Sequence, residues 1–152
     1  MSKLLVVVTL CLCAEALACK CPTDSTFLDN AMSGAVVVVN VVEPGEQSMK
    51  VMVEKQFAGP KLSGAVTVEG GDGGNCNASV RSFTKGQRLV LILSVAKSRL
   101  DLNGCGAHFL TLEKDVAKGV VAEGVKSMPL GQLESRVAEA QKKYEQFIKG
   151  GG

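Results

Sequence analysis

Two cysteines one residue apart, Cys19 and Cys21, stand directly after an apolar leader, and two more, Cys76 and Cys105, lie far downstream. In an extended segment the side chains of residues i and i+2 share a face, so both sulfurs point one way and Lys20 the other. Bonding the two to each other would close a small strained ring. Each is therefore expected to reach a distant partner, and the start of the chain to be stapled to its later part. Half of a zinc site is the competing reading, but metal-binding pairs favour two or more intervening residues.

The leader supports an oxidising destination. Lys3 supplies one positive charge, Leu4 to Ala14 is apolar apart from Thr9, and Ala16 and Ala18 occupy the small-residue positions before a cut. This pattern predicts a signal peptide over residues 1–18, with Cys19 as the first mature residue. A membrane anchor needs about 20 apolar residues, and Glu15 interrupts this run well before that. A lipoprotein signal, with Cys19 lipidated, is the weaker alternative because Ala16 stands where Leu is usual. Four cysteines then remain, an even number that in a secreted chain predicts two disulfides.

The mature part has one domain's length, enough for a modest core. The leader removes one lysine and one glutamate, so the net charge stays at +2, spread along the chain. That gives no electrostatic case for a nucleic-acid partner.

After Pro22, Thr23 to Thr26 offer N-caps, Phe27, Leu28, Ala31 and Met32 fall at helical spacing, and Gly34 suits a C-terminal cap, predicting a short helix. Ala35 to Val42 is nearly all valine and predicts a strand buried on both faces or at a barrel seam. Beyond the Pro44-Gly45 turn, Met49, Val51, Val53 and Phe57 alternate with polar residues, a strand expected to form a hairpin with the first. Gly64 to Glu69 reads as a third strand, the glycines of 70–74 as a loop, Arg88 to Ala96 as a fourth strand and Ala107 to Glu113 as a fifth. Residues 114–126 carry no clear period. Past Pro129, Leu130, Leu133, Val137, Ala140, Tyr144 and Phe147 recur at steps of three and four, an amphipathic helix expected to pack on the sheet, with 150–152 a frayed tail. Five strands, Gly-rich turns and a terminal helix predict a mainly β fold, a five-stranded barrel of the OB type.

Catalytic signals are sparse. The single histidine, His108, lies in a predicted strand beside Phe109 and Leu110, without neighbours in sequence that would make it a base. No HExxH, P-loop or strand-linked GxGxxG is present. The expectation is a protein that is not an enzyme and holds no cofactor of its own. Asn77-Ala78-Ser79 is a glycosylation sequon, used only along a eukaryotic secretory route.

The Cys19-x-Cys21 start after a signal peptide, the distant Cys76 and Cys105, and the barrel pattern between them resemble the netrin-like domain, specifically the tissue inhibitors of metalloproteinases. Phe57-Ala58-Gly59, Gly86 to Leu91, Leu110-Thr111 and the helix after Pro129 extend the likeness over nearly all of residues 19–148. The resemblance implies bridges Cys19–Cys76 and Cys21–Cys105. It implies a protease-contacting ridge of Cys19, Lys20, Cys21, Pro22, Asn75 and Cys76, in which the α-amino and carbonyl groups of Cys19 chelate the zinc of a metalloendopeptidase. Catalytic zinc keeps an open position for such a ligand. The partner is then a zinc metalloproteinase, and the protein a secreted monomer with no membrane span.

Three departures from the family pattern bear on that implication. Lys20 replaces a small or hydroxylated residue that enters the specificity pocket, which points to a target with an acidic or water-filled pocket. Leu28 stands near one position of a third bridge, and the smaller second domain of vertebrate members has no counterpart here. A glycan on Asn77 would sit beside Cys76 in the ridge. A netrin-like binding module without inhibitory action, or a lipid-anchored bacterial surface protein, are the alternative readings.

Overall fold

The computed structural model describes residues 21, 24–32, 34–71 and 75–151. Its elements are α1 (Phe27–Asn30), β1 (Ala35–Glu43), β2 (Ser48–Ala58), β3 (Ala65–Glu69), β4 (Arg88–Ala96), β5 (Arg99–Leu102), β6 (Phe109–Glu113), β7 (Val116–Ala122), β8 (Val125–Pro129) and α2 (Leu130–Gly150).

The valine run forms the strand around which the rest is laid. β1 pairs antiparallel with β2 on one side and with β4 on the other, so that β1-β2-β3-β5-β4 closes into a five-stranded barrel. All neighbours are antiparallel except β3 and β5, which run parallel and meet at the single pair Glu69–Asp101. Alternation along β1 sends Val37, Val39 and Val41 into the barrel with Met49, Val51, Leu89, Leu91 and Leu102. Val36 and Val38 face outward into a second core with Val90, Ile92, Leu110, Leu133 and Val137. The strand is thus buried on both faces and forms the seam, as its lack of polar alternation predicts.

β2 serves both cores. Met49 and Val51 fill the barrel, whereas Phe57 packs in the outer core. Register shifts between Val36 and Val37 and between Val38 and Val39 carry the strand from one to the other, since each extra residue turns the following side chains over. Strict alternation from Met49 to Phe57 therefore does not hold.

The fifth barrel strand is Arg99–Leu102, not Ala107–Glu113. It escapes a sequence reading because the turn before it has no Gly, Pro or Asn: Lys97 takes φ +56° instead. Leu100 and Leu102, two apart, then both point into the barrel. The segment expected as the fifth strand is β6, which pairs with β4 outside the barrel and starts a β6-β7-β8 extension. That extension occupies the unassigned stretch 114–126. Its first turn is Lys114-Asp115, both at positive φ (46° and 61°), a hairpin turn that usually carries Asn-Gly.

α2 covers the outer core. Leu133 and Val137 are fully buried, the Lys55 ammonium lies 2.6 Å from Glu134, and Gln141 Nε2 donates to the Ala31 carbonyl at 3.2 Å. Its apolar stripe is used only in part: Tyr144, Phe147 and Ile148 run past the body and stay exposed. The helix continues through Gly150, into the stretch expected as a tail. Among the described residues no helix is long and apolar enough to cross a membrane.

Candidate functional site

One end of the barrel gathers the described residues of the expected ridge. Cys21 is disulfide-bonded to Cys105, 84 residues away, with their Cα atoms 4.9 Å apart. The chain after Cys21 is held to the chain after Cys105 as well. Ala107 N–H donates to the Ser25 carbonyl at 3.2 Å, and Asn30 Nδ2 donates to the Ala107 carbonyl at 3.2 Å and to Ser25 Oγ at 3.1 Å. Thr26 caps α1 reciprocally with Asp29: its own N–H and Oγ1 both donate to the Asp29 carboxylate, at 2.9 and 2.7 Å. Phe27, fully buried in the outer core, anchors the turn. A four-residue helix is too short to stand alone, so these contacts decide its position.

The segment carrying Asn75 and Cys76 lies against the same end. Asn77 forms an isolated antiparallel bridge with Asn103, Gly104 N–H donates to the Cys76 carbonyl at 2.8 Å, and Ala78 N–H donates to the Leu102 carbonyl at 2.7 Å. The Ala78 carbonyl in turn accepts from Gly71 N–H at 2.7 Å. The packing leaves no room for side chains on the flanking residues: a Cβ on Gly71 would lie 2.3 Å from the Asn77 carbonyl oxygen, and one on Gly104 2.9 Å from its carbonyl carbon. Cys76 is itself disulfide-bonded. The Cys21 and Cys76 segments are therefore both fixed to residues 102–107. Cys19, Lys20 and Pro22, and with them the expected Cys19–Cys76 bridge, lie outside the described residues.

Side chains complete the corner. Asn75 Oδ1 accepts from Asn77 N–H at 3.3 Å, and Asn103 Oδ1 accepts from Cys105 N–H at 2.8 Å. Asn77 Nδ2, the atom a glycan would occupy, donates to Asp101 Oδ1 at 3.2 Å. Asp101 is 9% exposed and also bonds Arg99 Nε at 3.1 Å, so a nearly buried carboxylate is satisfied from both sides. Sequence reasoning missed Asp101 and Asn103. Nothing in the local sequence marks Asp101: it lies on the opposite face of β5 from the inward Leu100 and Leu102, and only its pairing with Glu69 of β3 brings it to this corner.

His108 is buried, and its carbonyl accepts from Ile92 N–H at 2.8 Å. Its Nδ1 has no hydrogen-bond partner among the described residues. Burial lowers its pKa from the usual 6.5, partly offset by a hydrogen bond with the Gly106 backbone, so the ring is neutral at pH 7. No carboxylate or nucleophile of the described residues meets this nitrogen. It is a buried residue at the entry to β6.

Beside the Cys21–Cys105 bridge a groove of about 890 Å³ opens between the α1 entry, Gly106-Ala107 and β7. Phe109 and Val120 are among its lining residues, and Asp24, Asp29 and Glu123 stand on its rim. No family model matches the chain, and neither a curated protein nor a solved structure does.

Proposed function

We propose that this protein is a secreted inhibitor of zinc metalloendopeptidases, built on an OB-type barrel of the netrin-like kind, and that its working group is the mature N-terminus at Cys19. The observation that carries the reading is the double attachment just described. Cys21 is bonded to Cys105, and Cys76, whose carbonyl accepts from Gly104 N–H, is in a disulfide too. Pairing of Cys76 with Cys19 would then hold the residues on both sides of Lys20 against one rigid corner. The strand order β1-β2-β3-β5-β4, closed by β1 on β4, fits the OB-type barrel.

The chemistry follows from preorganisation. A terminal amine and carbonyl on the same residue form a bidentate ligand for the open position of a protease's zinc, displacing its catalytic water. Bridges on Cys19 and Cys21 would remove most of the conformational freedom that binding would otherwise cost. The protein contributes no metal of its own; the zinc belongs to the enzyme it blocks.

The test is a titration of the oxidised protein, with its N-terminus verified as Cys19, against a panel of zinc endopeptidases. Stoichiometric inhibition that disappears when one alanine precedes Cys19 supports the chelating amine. Absence of inhibition across the panel, with both bridges formed, rejects the reading in favour of a binding module.

A further inference from the structure

Eight large hydrophobic side chains are exposed among the described residues, and five of them fall in two places. Tyr144, Phe147 (79% exposed) and Ile148 (58%) form the end of α2, continuing the stripe of Leu133 and Val137 beyond the body of the protein. Phe109 (38%) and Val120 (54%) line the groove beside β7. The charges around the two patches are opposite. Lys142 and Lys149 flank the helix end against the single Glu145, and no ion pair among the described residues holds them, while Lys143 lines a smaller pocket of its own chain with Asp29. Asp24 and Glu123 line the groove without an ion-pair partner among the described residues, the Asp29 carboxylate is taken up by Thr26 and shares a small pocket with Arg136 and Lys143, and Lys118, the one base lining the groove there, is paired with Glu113.

We infer that the end of α2 docks into the β7 groove of a second copy of this chain. The groove has room for it: one helical turn with its side chains is about 10–12 Å across and 5.4 Å long, roughly 400–600 Å³, and the groove holds about 890 Å³. A helix cannot reach its own groove, because Gln141 fixes its middle at Ala31 and the remaining turns would have to break to fold back. Tip and groove are different surfaces, so the contact is head-to-tail, leaving a free tip on one copy and a free groove on the other. It departs from the monomer expected of the sequence. One helix end buries less than the ~1,200 Å² of a stable interface, so association is weak and seen at high concentration.

Sedimentation velocity of the oxidised protein, from ~10 µM to ~1 mM, reads it directly. The mass of the parent should rise with concentration and fall back as salt screens the opposed charges. Phe147→Glu spoils the tip and Val120→Arg the groove; both sites are exposed, and each variant should weaken self-association about tenfold or more. Mixed in equal amounts, the two should form heterodimers that grow no further, since one intact tip meets one intact groove. A parent that stays monomeric overturns the inference. So does association that survives Val120→Arg, or that is lost in Phe147→Glu and not restored by mixing, which would mean a symmetric tip-to-tip contact. None of these outcomes depends on protease inhibition.

Discussion

Removing the Cys21–Cys105 bridge by the double substitution Cys21→Ala, Cys105→Ala tests how far the N-terminal segment is held by covalent restraint. The bridge spans 84 residues, and loop entropy alone makes it worth about 4.6 kcal/mol if it is the chain's only cross-link. If Cys76 is already bonded to Cys19, the shortest path from residue 21 to 105 runs through that bridge and is only about 31 residues, which lowers the figure to about 3.7 kcal/mol. For a domain of some 130 residues, unfolding entropy of about 2.1 cal/mol/K per residue converts this range to a fall in Tm of roughly 13–17 °C. The hydrogen bonds from Asn30 and Ala107 to the Ser25 region remain in the variant, so α1 should stay docked at low temperature while the residues before Asp24 become accessible. Calorimetry gives the Tm, and limited proteolysis followed by mass analysis shows where the chain opens. A fall under about 5 °C, with no new cleavage before Asp24, would refute the reasoning, because the non-covalent contacts would then suffice to hold the N-terminus.

Acid should weaken the fold through His108. Its folded pKa lies below 6.5, so the unfolded chain binds the proton more tightly; stability from the neutral ring is complete above about pH 6.5 and is lost as pH falls from there toward the folded value. Urea midpoints across this range should slope for the parent and flatten in His108→Gln, which keeps a donor but does not titrate. In α2, Leu133→Ala should cost about 2–5 kcal/mol, since the side chain is fully buried, whereas Phe147→Ala should change monomer stability by under about 0.5 kcal/mol, both read by urea unfolding at low protein concentration.

How much was legible in the sequence varied with how residues signal. β1 could be read because eight consecutive positions, almost all valine, have few other uses, and α2 because its stripe keeps helical spacing for five turns. β5 and β7 could not, because the turns before them place Lys97, Lys114 and Asp115 at positive φ where glycine or asparagine would have announced a reversal; β8 does follow a glycine, Gly124 at φ +69°, but its Val-Lys-Ser-Met run has no clear period. Four residues suffice for β5 only because Leu100 and Leu102 are locked inside a closed barrel, a tertiary effect that no local window contains. The cysteines marked the site, but its supporting polar residues were silent: nothing local sets Asp101 or Asn103 apart, and only the approach of residues 75–78 turns them into partners.

That approach also explains why the bridges sit where they do. A closed barrel is only as firm as its least-bonded junction, which here is β3 against β5, a parallel pair meeting at Glu69–Asp101 alone. Past that pair β3 and β5 have no further ladder pair with each other, and Ala78 fills the gap, accepting from Gly71 after β3 and donating to Leu102 of β5. Residues 75–78 thus behave as a short inserted strand sealing the barrel, and Asn77 adds the side-chain bond to the Asp101 carboxylate. Cys76 and Cys105 lie on the two segments that meet there, one in the insert and one just beyond β5, and both are disulfide-bonded. The Cys21–Cys105 bond ties the N-terminal segment to the chain just beyond β5, next to the junction where ladder pairs are fewest. If Cys76 pairs with Cys19, as proposed, the bond that restrains the mature N-terminus would also hold the insert that seals the barrel wall.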